Sequence, residues 1–184
     1  WNEVFLKIFE SPQKVQELKD SQFFVQYEKG EMTTSEFLYK LAQYLLPGFH
    51  QNDIIQSWNR ILKVIPETRL EFLKELKKKY SIFLLSNTNE IHLDFIISAL
   101  NDSHGKDMLA ETFHHCYYSF QMNEVKPDTA IYLKVLEEQN LKAEECLFID
   151  DKIENLKSAE LLGIHTQHII PNQEINIVLN DYII

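Results

Sequence analysis

Three short polar clusters in the sequence contain residue types that bind phosphate oxygens or a hard cation. Ser86-Asn87-Thr88 offers a small hydroxyl and backbone N–H groups to an anion. Lys126-Pro127-Asp128 offers one compact positive charge beside a rigid proline. Asp150-Asp151 places two carboxylates side by side, which repel each other unless a cation such as Mg²⁺ compensates. Each cluster taken alone also has an ordinary structural explanation, as a helix cap or a solvated helix start.

The elements around these clusters follow a regular alternation after Pro66. Apolar runs predict strands over residues 82–85, 115–120, 146–149 and 164–170, and amphipathic segments between them predict helices. Strands separated by helices imply right-handed crossovers and a parallel sheet that is covered on both faces. In such sheets ligands bind beyond the carboxyl ends of the strands, and the clusters fall at strand ends or helix starts. This shared placement favours a functional interpretation over three unrelated caps.

The first third of the chain is predicted to be helical. Val4, Phe5, Ile8 and Phe9 are spaced to lie on one helix face. Further on, Thr33 and Glu36 have the spacing of a capping box, Asn52 is predicted to cap the next helix, and Ile65-Pro66 forms a junction.

Composition excludes several classes of partner. The formal net charge of −10 does not suit nucleic acid or an anionic membrane surface. The basic run Lys77-Lys78-Lys79 is predicted to be a solvated helix end. No apolar run is long enough to span a bilayer, and the first residues do not resemble a signal peptide. Cys116 and Cys146 are too few for a disulfide framework, so we expect free thiols and a cytoplasmic location.

The clusters together resemble three motifs of the haloacid dehalogenase (HAD)-like hydrolases. Residues 82–88 resemble the second motif, Lys126-Pro127-Asp128 the third, and residues 148–155, which include Asp150-Asp151 and Glu154-Asn155, the fourth. Residues 27–31 resemble the cap segment of the branch whose helical cap follows the first strand. The resemblance covers essentially the whole chain.

The resemblance implies an α/β fold, with a Rossmann-like parallel-sheet core at residues 66–184 and a small helical cap at residues 1–65. The Ser-Asn-Thr-Asn sequence at 86–89, with His92 nearby, is most similar to sugar-phosphate phosphatases, including glucose-1-phosphate phosphatases. The implied activity is Mg²⁺-dependent hydrolysis of a small phosphorylated metabolite.

The family also implies roles for individual residues. Ser86 and Lys126 would stabilise charge on the transferring phosphoryl group, and Asp150 and Asp151 would bind Mg²⁺, with Asn155 behind them. The residues implied in substrate binding are Ser86, Asn87, Lys126, Tyr27 and Glu28.

The family's first motif, an aspartate nucleophile with a second aspartate two residues later, does not precede the predicted cap in this sequence. The covalent aspartyl-phosphate route needs that carboxylate, so the chain as written is expected to be inactive. We therefore expect the protein to have a further N-terminal segment that carries this strand and its aspartates.

Other interpretations remain open at this point. A catalytically inactive relative used for binding or regulation would explain the missing nucleophile, but need not keep Ser86, Lys126 and the two aspartates. A haloacid dehalogenase needs no Mg²⁺, and a phosphoacceptor signalling domain fits poorly with the helical cap. A zinc site at His114, His115 and Cys116, with His104, is disfavoured because adjacent strand residues face opposite sides of the sheet. Residues 175–184 alternate apolar and polar side chains, a pattern typical of an edge strand or a docking segment.

Overall fold

The computed structural model describes residues 6–63, 65–104, 107–170 and 173–179. The chain divides into two compact units, each assembled from separate stretches of sequence. The first unit contains Trp1–Val64, Leu85–Leu109 and Tyr118–Asn123, and the second contains Ile65–Leu84, Ala110–Tyr117 and Glu124–Ile184.

Helices and short strands alternate through the described residues, as an α/β chain requires. In chain order the elements are α1 (Pro12–Asp20), α2 (Phe23–Glu28), α3 (Thr34–Ala42), α4 (Gln51–Asn59), α5 (Glu67–Lys77), β1 (Phe83–Ser86), α6 (Glu90–His104), α7 (Met108–Thr112), β2 (His115–Tyr118), α8 (Ser119–Met122), α9 (Thr129–Glu138), β3 (Leu147–Asp150), α10 (Ile153–Glu160), β4 (His165–His168) and α11 (Ile175–Val178). Short 3₁₀ turns occur at Leu6–Ile8 and Ala143–Glu145. Among these residues no helix has the length and apolar character that crossing a membrane requires.

An aromatic cluster forms the core of the first unit. Tyr27 stacks on Phe37 with ring centroids 4.0 Å apart, and Phe24 stacks on Trp58 at 5.2 Å. Phe37 and Trp58 meet edge to face at 5.5 Å, so helices α2, α3 and α4 share one packed centre. Each such aromatic pair adds about 0.5–1.5 kcal/mol beyond its buried area.

The start of α3 confirms the predicted capping box. The backbone N–H of Glu36 donates to the Thr33 hydroxyl at 3.2 Å, and the Glu36 carboxylate accepts from the Thr33 N–H at 2.9 Å. The prediction that Asn52 caps the next helix is wrong. Helix α4 begins at Gln51, and the capping position is His50, two residues before Asn52. The Asp53 carboxylate accepts a hydrogen bond from the His50 N–H at 2.7 Å.

The N-terminal stretch departs from the predicted helix. Ile8 ends a 3₁₀ turn, and Phe9 forms an isolated antiparallel bridge with Leu45. The predicted helix positions Val4 and Phe5 lie outside the described residues. Ile8 and Phe9 are nevertheless buried, as the apolar pattern predicted, and both belong to the core cluster that contains the aromatic side chains.

The second unit contains a parallel βαβ arrangement. Strands β3 and β4 pair in parallel from Leu147 opposite His165 to Asp150 opposite His168, and α10 lies between them in sequence. Strands β1 and β2 pair in a separate two-stranded sheet. The strand predicted at 115–120 ends two residues early, because Ser119 begins helix α8. The parallel pairing and the alternation of elements confirm the predicted fold class.

The basic run at the end of α5 is exposed at Lys78 and Lys79, as predicted, but Lys77 departs from the prediction. The ammonium group of Lys77 donates to the carbonyl oxygens of Ala110 at 2.8 Å, Glu111 at 3.2 Å and Phe113 at 2.7 Å. These carbonyls lie at the end of α7, where helical carbonyl groups lack intrahelical partners. Lys77 therefore caps a second helix rather than forming a solvated end.

The C-terminal segment is helical over Ile175–Val178, so the predicted edge strand is wrong for these residues. Glu174 precedes this helix and pairs with Arg69 at 3.3 Å, which fixes the helix against the start of α5. The last five positions of the predicted segment, 180–184, lie outside the described residues.

Candidate active site

A nearly buried ion pair occupies the carboxyl end of β3 in the second unit. The Lys126 Nζ lies 2.7 Å from the Asp150 Oδ2, and the two side chains are 9% and 6% exposed. Asp150 is the last residue of β3, and Lys126 precedes α9, so the fold brings together two residues that are 24 positions apart. Both were predicted from the sequence.

The second oxygen of Asp150 is held by the start of the following helix. Oδ1 accepts hydrogen bonds from the backbone N–H of Lys152 and from the side-chain amide of Asn155, both at 2.9 Å. Asn155 is only 3% exposed and lies in the first turn of α10. The spacing of Asp150 and Asn155 across a strand-to-helix turn therefore orients the carboxylate.

Two aromatic side chains, Phe148 and Tyr132, pack against this network. The Lys126 ammonium lies 5.4 Å from the ring centroid of Phe148, which in turn meets Tyr132 edge to face at 5.2 Å. The Tyr132 hydroxyl donates to the backbone carbonyl of Asn155 at 2.9 Å. Lys126, Phe148, Tyr132, Asn155 and Asp150 thus form a closed ring of contacts.

Electrostatics keep Asp150 ionised in this setting. Burial alone would raise the pKa of the Asp150 carboxyl, but the hydrogen bond and charge of Lys126 act against it. The bonds from Lys152 and Asn155 act in the same direction, and the net effect lowers the pKa below its ordinary value. Burial and the nearby Asp150 charge raise the pKa of Tyr132, so its hydroxyl keeps its proton.

The donor set around Asp150 suits a hard cation. Asp151 follows with an exposed side chain, and its backbone carbonyl accepts a hydrogen bond from His168 Nε2 at 3.1 Å. No group of three or more His, Cys, Asp or Glu side chains gathers as a ligand set among the described residues. Two adjacent carboxylates without nitrogen or sulfur donors match Mg²⁺, which keeps several water ligands, better than they match zinc.

Pro127 lies just outside the helix that follows it. Helix α9 begins at Thr129, Asp128 occupies the capping position, and Pro127 lies one residue outside. Asp128 closes the turn by donating its N–H to the carbonyl of Val125 at 2.9 Å. The loop before α9 therefore presents Lys126, with the side chain turned toward Asp150.

The Ser86-Asn87-Thr88 cluster lies in the first unit, where β1 ends. Ser86 is the last residue of the strand, Ser86 and Asn87 are half-buried, and Thr88 is buried. Asn89 is fully buried, and its side-chain oxygen accepts the N–H of His92 at 3.1 Å, which caps the start of α6. Asn89 rather than the earlier residues therefore performs the capping role, which leaves Ser86 and Asn87 in the loop between strand and helix.

His92 connects this loop to helix α4 through a hydrogen bond and a ring stack. Its Nε2 lies 3.2 Å from the Trp58 carbonyl oxygen, and its ring stacks on the Trp58 indole at 5.2 Å. The Asn89 amide lies 3.3 Å from Nδ1, so the neutral ring donates through Nε2 and accepts through Nδ1. Burial lowers the pKa of His92, which is consistent with a neutral ring.

Tyr27 and Glu28, the predicted cap contributors, end helix α2 of the same unit. Tyr27 is 3% exposed, and its hydroxyl donates to Thr34 at 2.7 Å, while Thr34 donates to Glu90. A direct contact between Tyr27 and a substrate would have to replace this bond, so that role stays a prediction. Glu28 is half-buried, and its backbone carbonyl accepts a hydrogen bond from Ser119 at 2.6 Å.

Two polar residues of these networks were missed from the sequence. Ser119 and Asn89 are each 0% exposed and hydrogen-bonded. Ser119 directly follows the apolar run that forms β2, just as Ser86 ends β1. It was missed because the predicted strand was extended through residue 120. Asn89 had the ordinary signature of a helix cap.

The chain belongs to the haloacid dehalogenase-like hydrolase family, whose model matches residues 5–163. This finding confirms the predicted family. The first unit's loop after β1 and the second unit's Lys126–Asp150 pair lie at the motifs on which that prediction was based.

Individual relatives agree with this assignment. The chain is 27% identical over 143 residues to a D-ribitol-5-phosphate phosphatase of Bacteroides thetaiotaomicron, covering 78% of this chain and 69% of the relative. It is 25% identical over 151 residues to a sesquiterpene phosphatase of Aspergillus oryzae, covering 82% and 74%. A crystal structure of a HAD family enzyme from Bacteroides thetaiotaomicron superposes with a TM-score of 0.88 at 30% identity, over 96% of this chain and 88% of that one. The same enzyme has been crystallised with magnesium and inorganic phosphate.

Proposed function

We propose that the protein is a Mg²⁺-dependent phosphatase that hydrolyses phosphate monoesters of small metabolites, sugar or polyol phosphates among them. The observation that carries the proposal is the ionised Asp150 carboxylate, held by Lys126, Lys152 and Asn155 at the end of β3. The phosphatases among the similar proteins support the reaction class, and the magnesium and phosphate bound to the Bacteroides thetaiotaomicron enzyme support the cofactor.

The proposed roles follow from charge and position. Asp150 and Asp151 would hold Mg²⁺, and the metal would neutralise charge on the phosphoryl oxygens. Asn155 fixes the orientation of Asp150 without binding metal itself. Fixed orientation matters because transfer of a phosphoryl group depends mostly on positioning and charge stabilisation.

Lys126 would neutralise negative charge that develops on the phosphoryl group. Its ammonium has three N–H donors, one of which is directed at Asp150, and its side chain is nearly buried and lies over the Phe148 ring. A positive charge in such surroundings stabilises a transition state more strongly than one in water. Ser86 and the backbone at Asn87 would hold the phosphoryl oxygens, and Tyr27 and Glu28 would shape the side that receives the leaving group.

The substrate class is the finer part of the proposal. The ribitol-phosphate relative favours a polyol or sugar phosphate, whereas the sesquiterpene relative shows that an apolar leaving group is also used by a similar protein. Neither Cys116 nor Cys146 forms a disulfide among the described residues, which fits the proposed cytoplasmic location, where small phosphorylated metabolites occur.

The test measures phosphate release by the full-length protein from p-nitrophenyl phosphate, ribitol 5-phosphate, glucose 1-phosphate and farnesyl phosphate, with Mg²⁺ and with EDTA. We expect turnover that requires Mg²⁺ and favours the polyol or sugar substrates. Chloride release from a 2-haloacid in EDTA would instead identify a dehalogenase. Binding of Mg²⁺ and phosphate without turnover of any substrate would favour the inactive, regulatory alternative.

A calorimetric titration with Mg²⁺ tests the metal ligands without relying on activity. Asp151→Asn is expected to weaken Mg²⁺ binding by about tenfold or more, since a ligating carboxylate is lost. Glu154→Gln removes the same charge from an exposed position three residues further on and serves as the matched control. Equal weakening in both variants would mean that only the general field of negative charge attracts the ion.

A further inference from the structure

Ser119 forms a junction between separate parts of the first unit. It is the first residue of α8, directly after β2, and it is 0% exposed. Its Oγ accepts the N–H of Thr88 at 3.0 Å and lies 2.6 Å from the carbonyl oxygen of Glu28 and 3.0 Å from that of Thr88. A hydroxyl has one proton to donate, and the shorter distance identifies the Glu28 carbonyl as the main acceptor.

The two partners of Ser119 belong to the two segments that matter for the proposed site in this unit. Thr88 ends the loop that carries Ser86 and Asn87, and Glu28 ends the helix that carries Tyr27. One hydroxyl therefore connects the predicted phosphate-binding loop with the predicted leaving-group segment. The connection is direct, because each bond is made to the backbone of the segment rather than to a mobile side chain.

Two further contacts hold α8 against the same segment. The Asn123 side chain donates to the carbonyl of Lys29 at 3.2 Å. Gly30 approaches the Phe120 carbonyl so closely that a Cβ built on Gly30 would lie 2.1 Å from that oxygen. The backbone of residues 28–30 is thus fixed at three consecutive positions, and Ser119 extends this fixation to the loop after β1 through its bond with Thr88.

We propose that Ser119 is a positioning residue of the phosphatase site, which sets the loop at Ser86-Asn87 relative to the segment at Tyr27-Glu28 without touching the substrate. This inference rests on the proposed function. Loss of the hydroxyl removes the buried hydrogen bonds that Ser119 makes with the Thr88 N–H and the Glu28 carbonyl, so the two segments are no longer held in a fixed relation. A displacement of about 1 Å in a phosphate-binding loop lowers the rate by roughly 100-fold, because transition-state contacts depend on precise geometry.

The experiment compares Ser119→Ala with wild type in the full-length protein, at a temperature where circular dichroism shows both to be folded. Rates are measured with p-nitrophenyl phosphate and Mg²⁺. We expect kcat to fall by roughly 10- to 100-fold, with a much smaller change in KM, because the loop contacts the transferring group most closely in the transition state. A purely structural role would lower the melting temperature but leave kcat per folded molecule unchanged.

Thr112→Val is the matched control. Thr112 is also 0% exposed, and its hydroxyl has no hydrogen-bond partner among the described residues, so the variant removes a buried hydroxyl that holds nothing. Its kcat is expected to stay within about twofold of wild type, since replacing a hydroxyl that makes no described hydrogen bond by a methyl group of similar shape is nearly neutral. Ser119→Cys replaces the hydroxyl by a thiol, which is a weaker donor of similar size. If Ser119→Ala does not fold, the kcat of Ser119→Cys is compared with that of wild type instead.

The outcomes separate the two proposals. A normal kcat in folded Ser119→Ala, or in Ser119→Cys where the alanine variant does not fold, overturns the positioning role and leaves the phosphatase function intact. No metal-dependent turnover of any phosphate monoester by wild type overturns the proposed function, and the role of Ser119 falls with it. A selective loss of kcat in the Ser119 variants, with Thr112→Val unaffected, supports both.

Discussion

The Lys126 ammonium and the Asp150 carboxylate form a 2.7 Å ion pair whose side chains are less than a tenth exposed. An ion pair of almost the same length, between Lys142 and Glu145 at 2.8 Å, has side chains that are about two-thirds exposed. Solvent screens the second pair and not the first, so equal distances correspond to different contributions to stability.

The first prediction follows from this contrast. Lys126→Met should lower the free energy of unfolding by about 3–5 kcal/mol, because a buried carboxylate loses its counter-charge. Lys142→Met should cost less than about 1 kcal/mol. Urea unfolding of both variants measures the difference, and adding Asp150→Asn to Lys126→Met should recover part of the loss. Equal losses in the two single variants would show that the first pair is screened as well.

A second prediction concerns pH and His92. Burial lowers the pKa of the folded His92 ring below its ordinary value of 6.5, whereas the unfolded chain takes up a proton near that value. The unfolded state therefore binds more protons below pH 6.5, and the free energy of unfolding falls as the pH drops from 6.5 toward the folded pKa. The Asp150 carboxyl adds a further loss of stability in acid. Its pKa is lower in the folded state than the ordinary 3.8, so the unfolded chain takes up this proton first as the pH falls.

The test of this prediction is the free energy of unfolding between pH 7.5 and 5 for wild type and for His92→Gln. The variant loses the stack on Trp58 and is less stable throughout, but its stability should depend less on pH in this range. An unchanged pH dependence would mean that His92 does not titrate differently on folding.

A third prediction compares two glycines that both have positive φ. Gly30 has φ +74° and faces the Phe120 carbonyl, whereas Gly48 has φ +92° and would place a Cβ in open space. Gly48→Ala should cost about 1–2 kcal/mol from backbone strain alone. Gly30→Ala should cost a further 1–3 kcal/mol or more, roughly the penalty of overpacking, because backbone cannot move aside as a side chain can. Thermal unfolding of the two variants gives the comparison, and similar melting temperatures would argue against a tight contact at Gly30.

A fourth prediction concerns the basic run at the end of α5. Lys77 bonds three carbonyl groups near the end of α7, while its neighbour Lys78 pairs with Glu75 at the surface. Lys77→Met should destabilise the protein by about 1.5–3 kcal/mol, the range for hydrogen bonds from charged groups. Lys78→Met should cost less than about 1 kcal/mol. If both variants unfold at the same urea concentration, the run is a solvated helix end after all.

The sequence allowed the fold class and the chain positions of the candidate-site residues to be predicted, because both depend on local pattern. Alternating apolar runs and helices specify a parallel α/β arrangement, and paired aspartates after a strand identify the position of Asp150. The capping box at Thr33 was predicted for the same reason, since it depends on residues three positions apart.

The partners of polar groups across the fold could not be predicted in this way. Whether Lys77 meets water or the carbonyls of α7 depends on where α5 lies after folding, which no spacing rule contains. The partners of the Ser119 hydroxyl also depend on the folded arrangement. In the C-terminal segment, residues with an alternating apolar and polar pattern over 175–178 form a short helix. Period-two patterns in short segments do not distinguish a strand from a helix that packs on one side.

The first unit is assembled from three stretches of chain, and this has a consequence for how the protein folds. The Ser119–Glu28 hydrogen bond joins residues 91 positions apart, the Thr34–Glu90 bond 56, and the His92–Trp58 bond 34. Each bond closes a long loop of the chain. The chain loses conformational entropy when the loop closes, before the bond can contribute any stability. During synthesis, helices α2 to α4 therefore leave the ribosome able to pack their aromatic side chains together, but they reach their final arrangement only after α8 has been made. We expect this unit to fold late and slowly for a helical structure, with the loop after β1 among the last parts to become ordered.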